Sequence, residues 1–147
     1  MKILKRTVIG LVVLALVGVG GFFYLGMSSQ NGSAPGLTDG RLAACPSSPN
    51  CVSSEQGTQS DKAVASLPLD AWDLLPVAII KAGGSVTRED EDYIAAEFRS
   101  SIFGFVDDLE LRRAEDAVHV RSASRVGYSD AGVNAERVAD LRNLLTE

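Results

Sequence analysis

The chain has 147 residues, with 14 Lys or Arg and 19 Asp or Glu, which is enough for one domain of about 100 residues behind a hydrophobic N-terminus. Three basic residues and no acid precede that hydrophobic run, so the remainder carries 11 basic residues against 19 acids, a net charge of −8. This acidic balance excludes generic binding to nucleic-acid phosphates and attraction of the domain to anionic lipids.

A membrane segment is predicted near the N-terminus. Residues 7–26 contain no charge and are long enough to cross a hydrocarbon core as one helix. Phe22, Phe23 and Tyr24 would lie in the outer aromatic belt, and the basic tail 1–6 would stay in the cytoplasm by the positive-inside rule. We therefore expect a single-pass anchor over 7–27, in contact with the lipid bilayer, in a bacterial inner membrane. The C-terminal domain would then be periplasmic or extracellular.

Two kinds of processing are alternatives to an uncleaved anchor. A signal peptidase site is conceivable after Ser28, with Gly26 and Ser28 as the small residues, although the apolar stretch is longer than in most signal peptides. Leu42-Ala-Ala-Cys45 looks like a lipobox, but Cys45 lies 19 residues beyond Gly26 instead of next to the apolar run. The sequence favours the uncleaved anchor.

The segment 28–41 is rich in Ser, Gly, Asn and Pro and is predicted to be a flexible tether before a domain at 42–147. Cys45 and Cys51 follow it, flanked by prolines. In an oxidising compartment they are expected to form a local disulfide, whereas in the cytoplasm they would be free thiols. A metal site is not expected, because His119 is the only histidine and lies far along the chain.

The domain itself alternates in a way that predicts helices and strands. A helix is predicted over 69–81, capped by Asp70, kinked or shortened at Pro76 and ended at Gly83. Period-two patterns predict strands at 93–100, 105–113 and 117–124, with a shorter one at 85–88. A last helix is predicted at 131–145, capped by Asp130 or Ser129.

These elements predict an α+β fold. A small antiparallel sheet would carry two helices on one face, preceded by one N-terminal transmembrane helix. The strands place charged residues on the other face, which we expect to be polar and open.

Three sequence blocks resemble domain-of-unknown-function family 1499. They are CPSSPNCVSS at 45–54, FGFVDDLE at 103–110 and VRSASRVGYSDAGVN at 120–134. The resemblance implies a domain found in bacteria and photosynthetic eukaryotes, often behind an export or membrane segment. It implies no cofactor and no reaction.

The third block is the best candidate for a binding site. It runs from a strand end through a turn into a helix, where backbone N–H groups and arginines can hold a carboxylate or phosphate. The candidate ligand-binding residues are Arg121, Ser122, Arg125, Tyr128, Asp130 and Asn134. The alternative is structural: the arginines would pair with acids on the neighbouring strand, which are Asp107, Asp108 and Glu110.

Three functions remain open at this point. The first is a membrane-anchored binding or assembly module that contacts a protein partner or a small anion. The second is an enzyme that acts on a small anionic substrate, with His119 or Asp108 as the base. The third is a purely structural envelope protein. No set of catalytic residues is recognisable, so an enzyme is the less favoured interpretation, and neither a cofactor nor a metal is expected.

Overall fold

The computed structural model describes residues 2–146, with side chains from residue 4 onward. The helices are α1 (Lys2–Ser29), α2 (Leu75–Lys81), which follows a 3₁₀ helix (Leu69–Leu74), and α3 (Val133–Leu144). The strands are β1 (Leu37–Thr38), β2 (Arg41–Leu42), β3 (Cys51–Ser53), β4 (Ser85–Glu89), β5 (Tyr93–Arg99), β6 (Val106–Arg113) and β7 (Val118–Ser124).

Five strands form one antiparallel sheet in the order β3-β7-β6-β5-β4, and β1 and β2 form a separate two-stranded ribbon. With the three helices, this confirms the predicted α+β fold. The short strand β3 is not among the strands predicted from the sequence. Its three residues are too few for a period-two pattern, and it forms because Cys51 and Ser53 pair with β7.

The apolar face of the sheet carries α2 and α3, as the alternation predicts. Ile94, Ala96 and Phe98 of β5 point to this face and are buried among the helix residues. The core is completed by Leu67, Trp72, Leu75, Ala78, Ile79, Leu109, Leu111, Val118, Val120, Val138 and Leu141. Area removed from water in this single core is the main source of stability for the domain.

The first predicted helix begins differently from the prediction. Residues Leu69–Leu74 form a 3₁₀ helix, and the α-helix starts only at Leu75, with Pro76 in its first turn. Proline is favoured there because the first turn needs no N–H donor. The prediction of Asp70 as the N-cap was wrong. The 3₁₀ helix follows Pro68 and has no side-chain cap.

The prediction that the second face is open was wrong. Glu110 is fully buried there, and Asp108 and Arg121 are nearly so. The cover is the segment predicted as a flexible tether. Its β1–β2 ribbon packs Leu37 and Leu42 near Tyr93 and Ala95 of β5.

The helix α1 joins this cover without a break. It continues to Ser29, and the residues after it turn back along the second face. Leu4–Ser29 is long and apolar enough to cross a membrane as one helix. The C-terminal end of α1 is in direct contact with the folded domain.

Candidate functional site

The start of α3 is held by polar residues that the sequence singled out. Asp130 accepts hydrogen bonds from the backbone N–H groups of Gly132 and Asn134. Burial raises the pKa of Asp130, but these N–H donors outweigh it and hold the pKa below its usual value. Gly132 occupies the N-cap position with a φ of +87°, so the predicted cap at Asp130 acts from two residues before it. Asp130 is thus a helix-capping residue.

Asn134 and Ser122 face the helix side of the sheet. Asn134 is completely buried, accepts from the Ser122 hydroxyl at 2.6 Å, and donates to the Asn50 carbonyl at 3.2 Å. Asn134 therefore ties α3 to β7 and to the residue that precedes β3. Both side chains are occupied by contacts inside the protein.

Arg137 belongs to the same cluster, although sequence reasoning missed it. Its guanidinium donates to Asp107 at 2.7 Å and to Ser122 at 3.0 Å, and it stacks over the Phe98 ring at 4.4 Å. The available signal was Asp107, an acid on the otherwise apolar face of its strand. A partly buried acid there is stabilised by a cation from the helix packed above it.

Arg121 lies on the opposite, second face. It donates to the buried Glu110 carboxylate at 2.8 Å, and Glu110 also accepts from the Tyr93 hydroxyl and from the backbone N–H of Gly36. Burial, followed by the neighbouring Glu110 charge, raises the pKa of Tyr93 well above its usual value. The tether, through Gly36, is thereby part of a buried ion-pair cluster.

Arg125 makes a similar ion pair with Asp108, which lies two residues before Glu110 on β6 and closer to α1. It makes a bidentate contact with Asp108 at 2.6 and 2.8 Å, donates to Glu97 at 2.5 Å and donates to the Ser29 carbonyl at 3.1 Å. The hydrogen bond to Asp108 raises the pKa of Arg125 despite its burial. Arg125 therefore joins the sheet to the last turn of α1.

The six predicted binding residues do not converge on one ligand. Arg121 and Arg125 lie on one face of the sheet, Ser122 and Asn134 on the other, and Asp130 caps a helix. The geometry matches the structural alternative, because both arginines pair with strand acids. Tyr128 is different: its side chain is 77% exposed in the loop before α3.

A cavity of about 350 Å³ remains beside the two arginines, under residues 28–35. Arg121 Nε is buried there without a hydrogen-bond partner. Each arginine in the cavity wall already faces a carboxylate, so the positive charge is cancelled locally. The site is therefore poorly suited to attract a free anion.

Cys45 and Cys51 form a disulfide, which confirms the predicted pairing. A second cavity, of about 360 Å³, lies beside this disulfide. Its wall includes Glu55, which accepts from Arg112 at 2.7 Å and from the Leu42 N–H at 3.2 Å. Burial raises the pKa of Glu55, but the hydrogen bonds from Arg112 and Leu42 outweigh it and lower the pKa overall. Glu55 thus links β2 and β6 through these two hydrogen bonds.

His119, the candidate base, packs against Ser54. Its Nδ1 lies 3.1 Å from the Ser54 carbonyl oxygen and 3.3 Å from the Ser54 hydroxyl. Among residues 2–146, no group of three or more His, Cys, Asp or Glu side chains is placed to hold a metal ion.

A further cleft, of about 520 Å³, lies at the C-terminal end of α1. We call it the membrane-proximal cleft. Its apolar lining residues are Phe22, Leu25, Phe105, Val126, Tyr128 and Val133, and its polar lining residues are Ser100, Asp107, Ser124, Ser129 and Asp130. The exposed part of the predicted binding loop therefore faces α1.

Comparison with known proteins identifies the domain. A sequence model of the family described as "Protein of unknown function (DUF1499)" matches residues 41–145. The chain belongs to this family. The match covers all strands and helices of the DUF1499 domain from β2 onward, and it confirms the resemblance carried by the three sequence blocks. Neither the curated proteins nor the solved structures contain a match.

Proposed function

We propose that the chain is an uncleaved, single-pass membrane protein whose DUF1499 domain acts outside the cytoplasm as a binding or assembly module at the membrane surface. In this proposal residues 1–6 are cytoplasmic and 7–27 form the anchor. The folded unit begins at residue 28, since 28–41 packs on the domain defined by 42–147. The membrane is the bacterial inner membrane, with the domain on the periplasmic or extracellular side.

The observation that carries the proposal is that the last turn of α1 is built into the domain. The Ser29 hydroxyl accepts from the Val106 N–H at 3.0 Å, and Gln30 donates to the Gly104 carbonyl at 3.1 Å. Ser29 is only 1% exposed. Cleavage after Ser28 would place a new ammonium group at this buried residue, which is strongly unfavourable without a charged partner.

Aromatic packing supports the same conclusion. The Phe103 ring lies 5.3 Å from Phe22 and 5.1 Å from Phe23, and Phe105 contacts Phe22 at 6.3 Å. These separations are typical of favourable aromatic pairs. Removal of the N-terminal segment would leave Phe103 and Phe105 without these partners.

The disulfide and the charge pattern support the orientation. Cys45 and Cys51 are bonded, as is usual in oxidising compartments and rare in the cytoplasm. Three basic residues and no acid precede the apolar run, and all 19 acids follow it. A binding module is favoured over an enzyme because Arg121 and Arg125 are held by internal carboxylates, leaving the exposed 126–131 loop as the available surface.

The first test is the mass of the mature protein, purified from membranes after expression with its natural N-terminus. We expect a mass that includes residues 1–28, and we expect alkaline washing to leave the protein in the membrane. A mass that begins at Ser29, or release on washing, would contradict the proposal.

A glycine substitution tests whether the helix is docked on the domain. A Cβ at Gly26 would lie 1.8 Å from the Phe103 carbonyl oxygen, so Gly26→Ala must push α1 away from the β5–β6 loop. Gly18→Ala is the matched control, because nothing lies within 4 Å of a Cβ there. We expect Gly26→Ala to lower the thermal unfolding temperature of the domain by several degrees in detergent micelles, at a cost of about 1–3 kcal/mol.

The control should unfold at the wild-type temperature or slightly above it, because alanine favours the helix. Equal unfolding temperatures for Gly26→Ala and Gly18→Ala would show that the helix does not rest on the domain.

A further inference from the structure

The cleft at the end of α1 lies at the level of the bilayer surface. With a rise of about 1.5 Å per residue, the uncharged stretch 7–26 is about 30 Å long, which matches the hydrocarbon core. Phe22 and Phe23 therefore lie just inside its outer boundary, and the Phe103 ring packs against them at that depth. The β5–β6 loop must reach the same level, with Ile102 at its tip 71% exposed.

The walls of the cleft come partly from the membrane helix itself. Phe22 and Leu25 of α1 form one side, while Phe105, Val126 and Tyr128 of the domain form the other. With α1 in the membrane, its side of the groove is accessible to lipid, because Phe22 is 54% exposed and Leu25 is 42% exposed. The charged residues in the lining are Asp107 and Asp130. Its volume of about 520 Å³ is within the range of small-molecule sites.

The polar part of the cleft lining bears on which head group fits. It carries the Asp107 and Asp130 carboxylates and the hydroxyls of Ser100, Ser124 and Ser129. Arg137 neutralises Asp107, whereas the backbone donors of α3 serve Asp130. Beyond the anchor the chain has a net charge of −8, which repels anionic head groups.

From this geometry we infer that the membrane-proximal cleft binds one acyl chain of an outer-leaflet lipid with a zwitterionic or uncharged head group. The chain lies between Phe22 of α1 and Tyr128 of the loop, and the head group meets the hydroxyl-rich rim. This inference rests on the proposed function, because α1 forms one wall of the site only if the anchor is retained. It gives the exposed 126–131 loop a ligand class.

The test uses tryptophan as a reporter of lipid contact in the full-length protein. Tyr128→Trp is reconstituted into phosphatidylcholine vesicles whose acyl chains carry bromine, which quenches tryptophan on contact. Wild type, with only the buried Trp72, gives the background. Glu115→Trp is the matched control, since Glu115 is exposed in the β6–β7 turn. This turn lies at the far end of β6, and the eight residues of β6 separate it from the α1 end by about 25 Å.

We expect the reporter at position 128 to emit at shorter wavelength than the reporter at position 115. It should lose most of its emission in brominated vesicles, while the reporter at position 115 is unaffected. Equal quenching at the two positions, or none at position 128, overturns the inference. If the protein stays in the membrane with its full mass while the reporter at position 128 is unquenched, the lipid site fails alone. If the protein is cleaved or released, the proposed function fails as well.

A cleft-filling substitution separates a bound chain from simple contact with the bilayer. Val126→Phe, added to Tyr128→Trp, occupies the cleft, and Leu25→Phe does so from the α1 side. The thermal unfolding temperature of each variant is first compared with that of Tyr128→Trp alone. Equal temperatures show that the fold is kept. With that check met, we expect quenching of the reporter at position 128 to fall severalfold in both. Undiminished quenching would mean that the loop lies on the bilayer with no chain in the cleft, which contradicts the inference.

Discussion

The two faces of the main sheet are buried by opposite chemistry. The helix-covered face is closed by leucines, isoleucines and valines, with one polar cluster around Asp107 and Arg137 at its edge. The second face is closed by the segment 28–42 over Glu110 with Arg121 and Asp108 with Arg125. An apolar face is stabilised by any apolar cover, whereas a charged face requires each carboxylate to meet its own cation and N–H donors.

This difference makes the second face more specific in its cover. Glu110 needs the N–H of Gly36, and Arg125 needs the carbonyl of Ser29. These contacts fix the path of the chain from α1 to β1. Burial of ion pairs is often no more stabilising than apolar packing, but loss of one partner is costly. We therefore infer that the contacts of the second face determine where α1 lies on the domain.

The largest effect is expected from breaking the charged face at its centre. Glu110→Ala leaves Arg121 as an unpaired buried cation and removes the acceptor of Tyr93 and Gly36, so we expect a loss of about 3–5 kcal/mol. Leu111→Ala, the next residue and fully buried on the other face, should cost a similar amount, about 2–5 kcal/mol, through a cavity. Urea unfolding in detergent micelles, followed by Trp72 fluorescence, measures both.

A double substitution sharpens this comparison. Replacing both partners, as Glu110→Leu with Arg121→Met, removes the unpaired charge, and we expect it to recover a large part of the loss. If Glu110→Ala costs less than about 1 kcal/mol, the second face is solvated and the contrast between the faces is lost.

A smaller, pH-dependent effect is expected at the edge of the second face. The hydrogen bonds that lower the pKa of Glu55 stabilise the folded state when the carboxylate is charged. This contribution is complete above the ordinary pKa of 4.5 and is lost as the pH falls through the lower pKa of the folded state. Glu55→Gln should therefore cost about 1–3 kcal/mol at pH 7, and the difference from wild type should shrink in acid.

Unfolding temperatures of the two proteins, measured from about pH 7 down to about pH 3, check this expectation. A gap that stays constant over that range would show that the charge of Glu55 does not stabilise the fold.

The sequence predicts the apolar face well, because alternation at Ile94, Ala96 and Phe98 depends only on neighbouring residues. It also predicts the disulfide and the capping role of Asp130. The cover of the second face was not predictable in the same way. Its contacts join residues such as Gly36 and Glu110, 74 positions apart, and Ser/Gly-rich composition resembles that of a linker.

The candidate site was predicted only in part. The block 120–134 contains residues of three different roles, which are Arg121 in an ion pair, Asn134 in a buried polar cluster and Tyr128 on an exposed loop. Closeness in the sequence does not distinguish these three roles, since adjacent residues of a strand point to opposite faces of the sheet. The membrane-proximal cleft also needs Phe22 and Leu25, which are far from this block in the chain.

Amide hydrogen exchange in the full-length protein tests most directly whether the segment 28–42 belongs to the domain. The protein is placed in lipid nanodiscs, and exchange of peptides within 28–42 is followed by mass spectrometry. We expect the N–H groups of Gly36 and Leu42, which donate to Glu110 and Glu55, to exchange as slowly as those of β6, and much faster in Glu110→Ala at Gly36. Exchange of 28–42 at the rate of an unstructured chain in wild type would contradict the account and restore a flexible tether beside an open charged face.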